Sequence, residues 1–78
     1  MATDWGGRTR ALAYYEKCLE ADPLAEGFYR LLMGCFQRLQ RRAEAIEVYN
    51  RCRRALAALS VEPSAETRGL YEKLVSQM

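Results

Sequence analysis

The sequence contains no histidine, which limits the chemistry that its 78 residues can perform. Histidine supplies the base of Ser/His and Cys/His nucleophile pairs and the imidazole ligands of most metal sites, so those site types are excluded. None of the ten acidic residues has the apolar surroundings that shift the pKa of a catalytic carboxylate. We expect Glu16 and Glu20 to be solvated on a helix face. Gly6 and Gly7 form no phosphate-binding loop. The sequence therefore predicts no enzyme, no cofactor and no metal.

Proline and long apolar runs are also scarce. Two prolines in a chain that is 50% hydrophobic exclude a disordered or low-complexity linker. No apolar run approaches the roughly 20 residues of a membrane span, and no basic leader precedes an apolar stretch, so we expect a cytoplasmic protein. Cysteine is odd in number, and Cys18, Cys35 and Cys52 are widely spaced, which favours buried reduced thiols over disulfides or zinc.

Apolar residues recur instead with the period of an α-helix. The pattern predicts an all-α fold of four helices over residues 8–21, 24–39, 42–59 and 64–77, with residues 1–7 as a turn or disordered. Pro23 ends the first helix, because proline disfavours helical geometry in the residue before it. Ser64 is expected to cap the last helix, with Glu66 in its first turn.

The second predicted helix is apolar over most of its circumference, which indicates a helix packed between two neighbours. Its remaining residues form one narrow stripe at positions i, i+4, i+7 and i+8. The stripe consists of Arg30, Gly34, Gln37 and Arg38. We expect it to face water, and it is the best candidate for a partner-binding groove. Close packing of Gly34 against a neighbouring helix is the alternative interpretation of that glycine.

The third predicted helix has an apolar seam and a basic outer face. The seam comprises Ala45, Tyr49, Cys52, Leu56 and Leu59, flanked by Ile46 and Val48. Arg51, Arg53 and Arg54 form the basic surface, and Glu47 stands four residues before Arg51. Two interpretations stay open: a surface for an acidic partner, or a solvated face with intrahelical pairs. Direct DNA contact is not favoured, because no polar base-reading residues accompany the arginines.

An internal repeat with a period of about 34 residues relates the first helix to the third. The shift places Ala11 on Ala45, Leu12 on Ile46, Tyr14 on Val48, Tyr15 on Tyr49, Lys17 on Arg51 and Cys18 on Cys52. A second internal sequence similarity, between segments that are further apart in the chain, relates the starts of the other two helices. It places Pro23-Leu24-Ala25-Glu26 on Pro63-Ser64-Ala65-Glu66. The chain is therefore built from two alternating types of helix.

The segment from Ala11 to Pro23, with Tyr29, Leu32 and Phe36 after it, resembles the tetratricopeptide repeat. The long third helix followed by Glu62-Pro63-Ser64-Ala65-Glu66-Thr67 is similar to the bacterial transcriptional activator domain, over about residues 8–75. The resemblance implies antiparallel hairpins stacked as a right-handed solenoid, whose first helices line a concave binding surface. It also implies a protein-protein interaction module of a bacterial transcriptional regulator, which binds a partner or another domain of the parent.

Two alternatives remain: a free-standing tetratricopeptide adaptor for peptides, and nucleic-acid binding through the arginine-rich third helix. The resemblance further implies that the chain is a fragment, with Met1 as an expression start, most of one helix absent and a parent protein that continues upstream. In that case the side of the first helix around Ala13, Tyr14 and Lys17 should be partly bare. We expect weak self-association, as a possible homodimer, through those three residues. No membrane contact is expected.

Overall fold

A computed structural model describes the backbone of residues 2–76 and the side chains of residues 10–76. Over that range the chain forms four α-helices and no β-strand. They are α1 (Ala2–Ala21), α2 (Glu26–Arg38), α3 (Arg42–Ala57) and α4 (Ala65–Ser76). The prediction of an all-α fold with four helices is confirmed. Within residues 2–76, none of these helices is both long and apolar enough to cross a bilayer.

The first helix starts earlier than the sequence pattern predicts. It begins at Ala2, and Gly6 and Gly7, which we expected in a turn, lie inside it. Glycine weakens a helix by about 1 kcal/mol relative to alanine but does not forbid helical geometry, so two glycines alone do not define a turn. Met1 and Gln77, which belong to the first and last predicted segments, lie outside the described residues.

The turn between α1 and α2 follows from Asp22 and Pro23. The Asp22 carboxylate accepts a hydrogen bond from the Leu24 amide at 3.2 Å, which closes a local turn as the helix ends. The buried Tyr29 on α2 then donates its hydroxyl to the Pro23 carbonyl at 2.8 Å. These bonds connect the end of α1 to the first turns of α2.

The helices α2 and α3 are both followed by a residue in the left-handed region. Gln40 and Ser60 have φ of 60°. Arg41 donates its amide to Phe36 at 2.8 Å, and Val61 donates to Leu56 at 3.0 Å, so each helix closes with the bond pattern of a Schellman motif. The motif ends α3 at Ala57, two residues before the predicted end.

The early end of α3 explains one error in the predicted seam. Leu59 was expected in the core, but it lies in the turn after the helix and is 58% exposed. Val48, expected at the flank, is buried instead. The other four seam residues are buried as predicted, with Ala45 fully buried where α3 packs in the core.

The helix α2 lies at the centre of the molecule and contacts α1, α3 and α4, while α3 also contacts α4. The core is formed by Leu19, Tyr29, Leu32, Met33, Ala45, Val48, Tyr49, Cys52, Leu56 and Leu74. The expectation that α2 is covered on almost all sides was wrong at one position, since Leu31 is 47% exposed. Leu31 and Arg38 are seven residues apart, so they lie on the same side of α2, and both are exposed. The most exposed side of α2 therefore includes Leu31, whereas the other residues of the predicted stripe are partly buried.

The helix α4 packs on both α2 and α3. The Tyr71 ring stacks on the Tyr49 ring of α3, with the ring centroids 4.2 Å apart. Against α2, the first turn of α4 contacts Glu26, and Leu74 near its end shares a cavity with Gln37. The helices α2 and α4 therefore run side by side in the same direction, and the space between them is a groove.

Candidate partner-binding surface

A network of hydrogen bonds joins the first turns of α2 and α4. The Glu26 carboxylate accepts from the Ser64 amide at 2.9 Å and from the Thr67 hydroxyl at 2.7 Å. Ser64 caps α4 as predicted, because its hydroxyl accepts the Thr67 amide at 3.4 Å. Thr67 is fully buried, so its hydroxyl needs these partners. The network sets the position of α4 relative to α2.

The charge of Glu26 is stabilised where it lies. Burial acts to raise the pKa of its carboxyl group, since it disfavours the charged form. The hydrogen bonds from Ser64 and Thr67, together with the charge of Arg30, outweigh burial and hold the pKa below its ordinary value. A carboxylate that stays ionised can accept both bonds, which keeps the start of α4 attached at neutral pH.

Arg30, the first residue of the predicted stripe, takes part in the same network. Its guanidinium donates to the Thr67 hydroxyl at 3.1 Å and lies 3.9 Å from the Glu26 carboxylate. Arg30 is only half-buried, so part of the guanidinium still reaches the surface. The prediction that this residue faces water alone was wrong, because α4 covers one side of it.

Two cavities lie between α2 and α4, and we call the space that contains them the α2–α4 groove. The first has a volume of about 340 Å³ and is lined by Arg30, Ala65, Glu66, Gly69, Leu70 and Lys73. The second, about 390 Å³, lies at the other end of the two helices, where the turn after α2 and the start of α3 also border it, and is lined by Gln37, Gln40, Arg42 and Leu74. Arg30 and Gln37 thus each line one cavity, whereas Gly34 and Arg38 line neither, and Arg38 is exposed.

Gly34 lies between Arg30 and Gln37 on the same side of α2. A Cβ atom placed on it would meet no atom of the described residues within 4 Å, and the same holds for Gly69 on α4. Close helix packing within the chain therefore does not explain Gly34, which contradicts that alternative. Both helices of the groove carry an interior glycine with open space above it, and each costs about 1 kcal/mol of helix stability relative to alanine.

The arginines of α3 do not form one free basic surface. Arg51 binds Glu16 of α1 through both terminal nitrogens, at 2.9 and 3.1 Å, and this pair raises the pKa of Arg51. Arg54 pairs with Glu47 at 3.3 Å. The expected pairing of Glu47 with Arg51 was wrong, and Glu16 is half-buried in an ion pair rather than solvated. Arg53 is exposed.

The outer side of α1 is open, as the sequence pattern predicts. Ala13, Tyr14 and Lys17 are all exposed, with Tyr14 at 61%. The Tyr14 ring meets the half-buried Tyr15 edge to face, with the centroids 5.9 Å apart. Tyr15 in turn packs against Phe28 of α2, so over residues 10–21 the inner side of α1 is the side that the described part of the chain covers.

The cysteines differ in burial but none forms a disulfide. Cys52 is fully buried, and burial raises the pKa of its thiol to about 11, so it stays protonated and unreactive. Cys18 and Cys35 are only half-buried, which corrects the expectation that all three are buried. Among residues 10–76, no three potential metal ligands lie close enough to hold an ion.

The family comparison covers almost the whole chain. A family model described as bacterial transcriptional activator domain matches residues 1–75. The chain belongs to this family. No curated protein and no solved structure matches the chain. The resemblance that the sequence suggested is therefore confirmed, and the activator domain is a domain of transcriptional regulators.

The sequence pattern predicts residues on only one side of this groove. Of the predicted stripe on α2, Arg30 and Gln37 line the two cavities, whereas the pattern gives no signal for Gly69 and Lys73, which line the groove from α4. The second internal similarity relates the starts of α2 and α4, which indicates that the two helices are of one type. It does not indicate that they lie next to each other.

Proposed function

We propose that this activator domain is an interaction module whose α2–α4 groove binds a segment of a partner protein or of another domain in the same regulator. Gly34 and Gly69 carry the proposal, since each leaves open space on one of the two helices that form the groove. A glycine that nothing in the chain requires is explained if a bound backbone approaches closely there. Two glycines inside helices lower helix stability, and packing within the chain does not compensate for that loss.

The lining of the groove suits a peptide that is partly apolar and partly charged. Leu70 supplies an apolar contact, and Arg30, Lys73 and Glu66 supply charges of both signs around it. The Arg30 charge is partly balanced by Glu26, while Lys73 is exposed. A segment with apolar side chains and hydrogen-bonding groups matches this surface better than a uniformly acidic one does.

We also infer that the helices stack as a tetratricopeptide-like right-handed solenoid of antiparallel hairpins. Two observations support this arrangement: α2 packs between α1 and α3, and α4 runs parallel to α2 beside it. In such a stack, α2 and α4 are the helices that line the binding surface. A free-standing adaptor would use the same surface and would differ only in what the chain is attached to.

Nucleic-acid binding through α3 is the weaker alternative. Two of its three candidate arginines already hold carboxylates, Arg51 with Glu16 and Arg54 with Glu47. Each pair neutralises one arginine and so lowers the free positive charge of α3, although the exposed Arg54–Glu47 pair is itself worth only about 0.2–1 kcal/mol. The remaining candidate, Arg53, offers one cation, which is too little for a phosphate-tracking surface.

A peptide-display selection on the immobilised chain tests the proposal. A random-sequence library is selected on the wild-type chain, and the selected peptides are then measured against two variants. Gly34→Leu places a side chain in the open space on α2 between Arg30 and Gln37, whereas Ala43→Leu adds the same kind of side chain at an exposed site of α3. We expect Gly34→Leu to weaken the peptides by at least about tenfold and Ala43→Leu to leave affinity unchanged.

Two results would count against the proposal. Equal affinity for wild type and Gly34→Leu would place the peptides elsewhere on the chain. Measurable binding of duplex DNA, with an affinity that falls steeply with salt and is lost in Arg53→Glu, would favour the α3 alternative. Far-UV circular dichroism establishes that the variants keep their helix content.

A further inference from the structure

We propose that two copies of this chain pair in antiparallel orientation through the outer face of α1. That face consists of Arg10, Ala13, Tyr14, Lys17 and Glu20, all of which are exposed. Their spacing of i, i+3, i+4, i+7 and i+10 places them along one side of the helix. The proposal is independent of the α2–α4 groove, since none of these residues lines it.

The internal repeat relates one apolar position on this face of α1 to a position of α3 that is buried in the core. Tyr14 on α1 occupies the position that Val48 holds on α3. Val48 is 2% exposed within the core, but Tyr14 is 61% exposed. Cys18 and Cys52 show the same contrast, since the first is half-buried and the second fully buried. An apolar position of α3 that the chain covers is thus left uncovered on α1.

The charges on the face select a second copy as the occupant and set its direction. Arg10 and Glu20 lie at opposite ends of the face, roughly 15 Å apart at 1.5 Å per residue. Neither has an ion-pair partner among the described residues. In an antiparallel pair each Arg10 meets the partner's Glu20, whereas in a parallel pair like charges would meet.

The middle of the face fits the same arrangement. When Tyr14 lies opposite the partner's Lys17, Arg10 comes within one residue of the partner's Glu20 along the helix. The ammonium of each lysine then stands over a tyrosine ring, which is a favourable cation–π geometry. Ala13 has a small side chain, so the two helices can approach closely beside the tyrosines. The two-fold axis passes between Tyr14 and Lys17 and repeats every contact twice.

Charge reversal tests the pairing with the full chain at low salt. Sedimentation equilibrium over a wide concentration range is measured for wild type, Arg10→Glu and Glu20→Arg. We expect each single variant to weaken the wild-type dimer by at least about tenfold, because two attractive contacts become repulsive. An equimolar mixture of the two variants should form a heterodimer, since their opposite charges again face each other.

Arg53→Glu is the matched control, because it reverses an exposed charge on α3 and should leave the dimer unchanged. A wild-type chain that is monomeric at every concentration overturns the proposal and leaves the face to another polypeptide. The proposal is also overturned if the single variants dimerise as wild type does, or if the mixture stays monomeric. Circular dichroism of each variant separates loss of pairing from loss of fold.

Discussion

At the scale of single residues, Thr67 has the largest structural role relative to its size. It is fully buried, and its hydroxyl donates to Glu26 and accepts from Arg30 across the α2–α4 contact. The sequence predicted the Ser64 cap, because a cap is a local pattern of a few residues. It did not predict the role of Thr67, because Glu26 lies far away along the chain, near the start of α2.

Replacing Thr67 with valine keeps the shape of the side chain and removes the hydroxyl. Glu26 then loses a donor and Arg30 an acceptor in a partly buried setting, so we expect the free energy of unfolding to fall by about 1–3 kcal/mol. Urea denaturation measures the change. Ser76→Ala removes an exposed hydroxyl whose one hydrogen bond among the described residues goes to the Lys73 carbonyl, and it should cost much less. Equal effects of the two substitutions would contradict the network.

The lowered pKa of Glu26 gives the protein a specific dependence on acid. Because the folded pKa lies below the ordinary value of 4.5, the carboxylate contributes stability that is fully present above pH 4.5. That contribution is lost as the pH falls below 4.5 through the folded pKa. We expect the free energy of unfolding to drop over this range in wild type.

The matched variant is Glu26→Gln, which cannot ionise. It should be less stable than wild type at neutral pH, and its stability should change less as the pH falls below 4.5. Denaturant midpoints measured at several pH values compare the two chains. Parallel pH profiles for wild type and Glu26→Gln would show that the Glu26 carboxylate does not hold the start of α4 in place.

At the scale of helices, the sequence predicted where α1 ends better than where α3 ends. Pro23 and Asp22 mark the first boundary by local chemistry. The end of α3 depends on Ser60, which has φ of 60°. Serine rarely adopts this conformation, so the sequence does not predict it. The sequence pattern therefore predicts a helix that continues to Leu59, with that residue in the core.

The two left-handed helix ends give a stability prediction. A side chain at φ of 60° is strained relative to glycine, so Gln40→Gly should stabilise the protein by about 1 kcal/mol. The same substitution at Gln37, inside α2, should destabilise it by a similar amount, because glycine is a poor helix former. Thermal unfolding compares the two variants. A loss of stability in Gln40→Gly would contradict the Schellman geometry.

Contacts between helices were the part that the sequence could not supply. The internal repeat placed α1 and α3 in one class, and the structure joins them through Glu16 and Arg51. The spacing of Glu47 and Arg51 favours a pair within α3, since side chains four residues apart are neighbours on a helix. Arg51 instead pairs with Glu16 of α1, because that carboxylate accepts hydrogen bonds from both terminal guanidinium nitrogens.

At the scale of the whole molecule, the family and the helix count followed from the sequence, whereas the position of α4 beside α2 did not. Periodicity placed four helices, and the segment from Glu62 to Thr67 pointed to the activator domain. The stripe on α2 was selected as a surface facing water. Its true neighbour is α4, which covers the stripe in part and turns it into one wall of a groove.

The position of a bound peptide on the chain decides whether the α2–α4 groove is the binding surface. A peptide from the display selection is titrated into isotope-labelled protein, and backbone amide NMR signals are followed. We expect the largest shifts at Gly34, Gln37, Gly69 and Lys73, on both helices of the groove. Shifts concentrated on the outer face of α1 or around Arg53, with the groove amides unchanged, would contradict the proposed function.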